Sequence, residues 1–137
     1  MAFEAEHLGQ LGRLHQLTID AYGAQHGGPA VPAIAVPFGL IGLHLAFDEG
    51  MTGNMVRAAH QYLANGPREW PVFGSPSAPA WLTIADVAGA AGPDDHAQRV
   101  ERWARSVWDA WRPDHSRILA WADAALPREV RGRLRRG

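Results

Sequence analysis

The stretch from about Pro37 to Glu49, PFGLIGLHLAFDE, puts apolar side chains on nearly every side of the helix it would form. Such a helix has no face to give to water, so other elements must enclose it. That requirement predicts an all-α domain built around one central helix. Gly39 and Gly42 lie on this helix and would let a neighbouring helix approach closely.

Glycine and proline cut the remaining chain into further helical segments. A first helix runs from about Glu4 to His26 and stops at Gly27, Gly28 and Pro29. Thr52 is placed to cap a third, which continues to about Asn65 and ends at Gly66 and Pro67. Thr83 and Asp86 resemble a capping box opening a short helix that Gly92 and Pro93 close. From about Asp94 one long amphipathic helix extends to about Leu126, kinked by Pro113, which deprives the Asp109 carbonyl of its usual partner. The expected architecture is a compact bundle of four main helices plus one short helix, a single domain over residues 1–137.

The segment GPREWPVFGSPSAPAW, residues 66–81, holds four prolines and two tryptophans. A loop of that length is either a lid or a strap pinned over the core by Trp70, Phe73 and Trp81.

With 137 residues the chain can bury one core without covalent staples, and it contains no cysteine. Disulfides, thiolate metal sites and cysteine nucleophiles are thereby excluded. No apolar run is long enough to span a bilayer, and the N-terminus MAFEAEHLGQ lacks the order of a signal peptide, so a cytoplasmic location is expected. All thirteen basic residues are arginine. Five of them against Glu129 give residues 128–137 a balance of +4, and eight against thirteen acids leave the rest at −5. That tail is expected to fray into solvent, and the acidic body carries no nucleic-acid motif.

The histidines carry the chemical interest. On the first helix Leu8, Leu11, Ile19 and Tyr22 share one face at 100° per residue, with His15 and His26 on it, and Arg13, Gln16 and Asp20 opposite. His15 is therefore expected to be buried and His26 to sit at the rim. His44 lies on the central helix with Asp48 four residues later, the spacing at which a carboxylate orients an imidazole or shares a metal with it. His115 falls on the apolar stripe of the long helix, just past Pro113. Three helices would thus each turn a histidine inward, whereas His7, His60 and His96 read as peripheral. Trp103, Trp108, Trp111 and Trp121 read as core, or alternatively as a stacking wall for a flat ligand.

Three blocks, HQLTIDAYGAQH (His15 to His26), LTIADV (Leu82 to Val87) and WARSVWDAWRPDH (Trp103 to His115), resemble the signature of a bacterial helical family known only as a domain of unknown function. The resemblance implies motif roles for His15, Asp20, Tyr22, Gln25, His26 and His115, but no activity. It also implies an N-terminal cysteine pair and a histidine early in the second helix. This chain departs on both points, with no cysteine and with Gly39 or a neighbour at that histidine position.

Two functions fit these readings. One is an enzyme transforming a small molecule, with His15, His26, His44, His115 and Tyr22 as catalytic groups and Trp108, Trp111, Gln25 and Trp81 holding substrate. A metal-assisted form would bind a divalent transition metal through His15, His44, His115 and Asp48, with Asp20 as a further orienting group. The other is a non-catalytic module that binds a small ligand or a protein and whose inward histidines are structural. Neither involves nucleic acid or membrane, and a homodimer is compatible with both.

Overall fold

The computed structural model describes residues 2–25, 34–67, 69–73 and 84–136, with side chains from residue 11 onward except Ile84. The chain forms seven helices among these residues and no strand. They are α1 (Ala2–Gln25), α2 (Ala35–Phe47), α3 (Gly53–Asn65), α4 (Ile84–Ala88), α5 (Pro93–Ala110), α6 (His115–Ala125) and α7 (Arg128–Arg136). No described helix is long and apolar enough to cross a membrane.

Helix α2 is the centre of the bundle. Gly39 through Ala46 are all buried, as a helix apolar on every side requires, and α1, α3, α5 and α6 all pack against it. Gly39 and Gly42 allow the closest approach. A Cβ on Gly39 would run into the Asp20 carbonyl oxygen and lie 2.8 Å from the Ala24 nitrogen, and one on Gly42 would overlap the Asp20 carboxyl. Thr52 caps α3 as expected, its hydroxyl accepting from the Met55 N–H at 3.3 Å.

Three expectations are corrected. The long helix does not continue past Pro113: α5 ends at Ala110, a 3-10 turn spans Arg112–Asp114, and α6 starts at His115. A proline that removes an intrahelical donor costs enough to break the helix where other contacts can take up the loose ends. The arginine tail is not frayed either. Residues 128–136 form α7, which buries Val130 against α3 and is tied down by Arg131 and Arg135 reaching Glu49.

The third correction concerns α1. Leu11 and Ile19 are 50% exposed and Tyr22 is 49% exposed, and His15 is exposed with them. The buried face is the other one, Leu14, Leu17, Ala21 and Ala24, with Gln16 and Asp20 among them. Alanines win here because α1 must lie close against the glycines of α2, and larger side chains would hold the two helices apart. An Arg13–Glu101 pair, with Nε–Oε1 at 2.6 Å and Nη2–Oε2 at 3.2 Å, ties α1 to α5.

The described part of the long loop is pinned over the core. Phe73 is buried with ring centroids 6.4 Å from Trp111 and 6.3 Å from Trp121, and Trp70 meets Phe38 edge-on at 4.9 Å. Trp81 and Thr83 lie outside the described residues. Trp103, Trp108 and Trp111 are buried and Trp121 packs against them, so this stripe is core.

Candidate ligand-binding site

The histidines expected to converge are held at separate places. His44 is buried at the C-terminal end of α2, with Nδ1 at 2.8 Å from Asp48 Oδ2 and Nε2 at 3.0 Å from Glu49 Oε2. The expected i,i+4 partnership with Asp48 is present. Glu49 also attracts Arg131 Nη2 at 3.0 Å, an ion-pair distance at which the nitrogen is not aligned as a hydrogen-bond donor, and Arg135 Nη2 at 3.7 Å. With both ring nitrogens facing carboxylates, His44 holds Glu49, which in turn pairs with α7, and has no nitrogen left for a substrate.

His115 is a helix cap. Its Nε2 donates to the Trp108 carbonyl at 2.8 Å, near the end of α5, where the Trp111 N–H also donates to that oxygen at 3.1 Å, and its ring stacks on Trp108 at 3.8 Å. Trp111 donates from Nε1 to the Ala24 carbonyl at 3.3 Å, and Gln25 accepts from Trp103 Nε1 at 2.9 Å, so both join α5 to α1 and neither is free to hold a substrate. Among the described residues no group of three or more His, Cys, Asp and Glu side chains is arranged to hold a metal ion. The set His15, His44, His115 and Asp48 is not brought together. His26 lies outside the described residues.

One cluster was not anticipated. Gln16 and Asp20, one turn apart on α1, meet His60 of α3 over Phe38 of α2. Gln16 Nε2 lies 3.2 Å from both carboxyl oxygens of Asp20 and 3.4 Å from His60 Nδ1, while His60 Nε2 lies 2.9 Å from the Phe38 carbonyl. A carbonyl only accepts, so His60 carries its proton on Nε2 and leaves Nδ1 to accept from Gln16. Burial pushes the Asp20 carboxyl well above the ordinary carboxylate range, against the Gln16 hydrogen bond. Burial likewise lowers His60, opposed by its bond to the Phe38 carbonyl. Both groups therefore favour their neutral forms. His60, expected at the periphery, stacks on the Phe38 ring at 5.2 Å and belongs to the interior. The i,i+4 spacing of Gln16 and Asp20 is the signal the sequence carries for this cluster, on the face opposite Leu8, Leu11, Ile19 and Tyr22.

A groove of about 730 Å³ runs between α1 and the corner where α4 meets α5. Leu11, Leu14, Val87 and Pro93 give it apolar walls, and His15, Thr18 and His96 supply its polar groups. Thr18 Oγ1 donates to the Leu14 carbonyl at 2.7 Å, which leaves its lone pairs to accept. Apolar walls with a few polar groups are what small-molecule sites commonly present, at volumes of roughly 300–1,000 Å³. His96, taken from the sequence as peripheral, is a wall of this groove.

A model of a family of unknown function (DUF5946) matches residues 1–112. The chain belongs to this family. No curated protein and no solved structure matches it. Of the residues to which the resemblance gave motif roles, Asp20, Gln25 and His115 make contacts between helices, while His15 faces the groove; His115 lies beyond the matched residues. The matched residues run through α1 to α5, so both sides of the groove lie within the family region.

His115→Ala should lower stability by about 1–2 kcal/mol, from the lost carbonyl bond and ring stack. His15→Ala, at an exposed position, should stay within about 0.5 kcal/mol of the parent. Thermal melts of the two variants check the contrast.

Proposed function

We propose that the chain is a small-ligand-binding domain, and that the ligand occupies the groove between α1 and the α4–α5 corner. The observation that carries this reading is the position of His15. It lies within the family-matched region, it lines the groove of about 730 Å³, and no hydrogen bond or ion pair among the described residues holds its ring. A neutral imidazole both donates and accepts, so His15, His96 and Thr18 suit a ligand with an apolar body and one or two polar atoms.

A suitable probe is p-cresol, an apolar ring with one hydroxyl, followed through the ring 1H–15N signals of the histidines. The expected result is saturable one-to-one binding that moves the His15 and His96 signals and weakens about tenfold in His15→Ala. If neither signal moves, or if both His15→Ala and His96→Ala bind p-cresol as tightly as the parent, the groove is not the site.

A catalytic reading is favoured by one observation: two imidazoles line a single groove, and histidine titrates near neutral pH. It predicts turnover of a small substrate that either alanine variant abolishes while the fold survives. His44 takes no part in it, since both its ring nitrogens face carboxylates, and His115 lies outside the groove with Nε2 committed to the Trp108 carbonyl.

A further inference from the structure

A second groove, of about 520 Å³, lies between α3 and α7, and we infer that it binds an aliphatic chain ending in a carboxylate. Its floor is apolar, made by Met55 and Tyr62 of α3 and by Val130 and Leu134 of α7. Its rim is cationic, with Arg133, Arg135 and Arg136 along one side, and no acidic side chain lines it. The three arginines are not equivalent. Arg135 Nη2 donates to the Glu49 carbonyl at 2.8 Å and is partly committed to the fold. Arg133 and Arg136 form no ion pair among the described residues.

The separation of roles follows from chemistry. An alkyl chain laid on the floor leaves water, and its anionic end meets guanidinium groups whose planar fork matches a carboxylate. A basic amphipathic helix can also adsorb to an anionic membrane. The packing argues against that here, because Val130 is buried and Leu134 is packed against the core, so the apolar face of α7 is already turned inward. What remains exposed is a cleft sized for one molecule.

Calorimetric titration of the full chain with octanoate tests the inference, with 1-octanol, acetate and phosphatidylglycerol vesicles as parallel arms. The expected result is saturable one-to-one octanoate binding, at least about tenfold tighter than 1-octanol or acetate. The double variant Arg133→Gln/Arg136→Gln should weaken it about tenfold or more, with an unchanged circular dichroism spectrum because both side chains are exposed. His15→Ala should leave octanoate affinity unchanged, which separates this groove from the one beside α4. The inference is overturned if octanoate fails to bind, if it binds no better than 1-octanol, if the double variant binds it equally well, or if only the vesicles take up the protein.

Discussion

Gly39→Ala is expected to destabilise the protein by about 3 kcal/mol, lowering its melting temperature by roughly 10 °C. In an isolated helix the same change gains up to about 1 kcal/mol, because alanine is the better helix former. Packing decides the sign. The added methyl would collide with the backbone of α1 at Asp20 and Ala24, and backbone cannot rotate aside as a flexible side chain can. Helix α1 would have to lift from α2 along the interface where the two helices meet most extensively. Gly12→Ala is the matched control. It sits in α1 with nothing within 4 Å of the added Cβ, so it should gain about 0.5–1 kcal/mol. Two thermal melts check both signs. A Gly39→Ala protein as stable as the parent would mean that α1 and α2 do not meet as described.

The second large effect concerns Asp20, which is 2% exposed. Asp20→Ala removes the partner of Gln16 and leaves a small void, and should cost about 2–3 kcal/mol at pH 4. Its pH dependence follows from the raised carboxyl. The native state holds the proton more tightly than the unfolded chain, so the stabilisation is complete below the unfolded carboxylate pKa of about 3.9. It is lost as pH rises through the higher native value. Asp20→Asn keeps an acceptor for Gln16 and cannot ionise, so its stability relative to the parent should climb as pH is raised from 4. The remaining slope from this cluster then belongs to His60 and has the opposite sign. A histidine lowered in the fold gives its full stabilisation above the unfolded value of about 6.5 and loses it as pH falls. Urea denaturation of the parent and Asp20→Asn from pH 4 to 8 measures both. Parallel curves across that range would rule out a buried, protonated Asp20.

Much of the helical framework was legible before any coordinates. The break at Gly66 and Pro67 stands where such residues must put it, and Thr52 caps α3 because its hydroxyl supplies the acceptor that an N–H of the first turn lacks. The short helix ends earlier than expected, at Ala88, and Pro93 opens α5 at a first-turn position where its missing N–H costs nothing. The His44–Asp48 pair was legible as well, since i,i+4 neighbours on a helix meet whatever surrounds them. The candidate site was less so. His15 was expected in the interior and lies exposed instead, and the residues that line the groove across from it, Val87, Pro93 and His96, are more than seventy positions away.

What the sequence by itself determined are the features that depend on near neighbours: helical segments, their ends, a central helix apolar all round, and glycines prepared for a close approach. Which face of α1 turns inward was decided only by tertiary structure. That helix offers two apolar stripes, one of large side chains and one of Leu14, Leu17, Ala21 and Ala24 with Gln16 and Asp20 among them, and local preference does not separate them. The glycines of α2 do, because a surface without side chains at Gly39 and Gly42 accepts the second stripe and the Asp20 carboxyl at a distance that Leu11, Ile19 and Tyr22 could not reach. The inward turn of His60, the outward turn of His15 and the docking of α7 through Glu49 all depend on contacts between distant parts of the chain, and no local spacing encodes them.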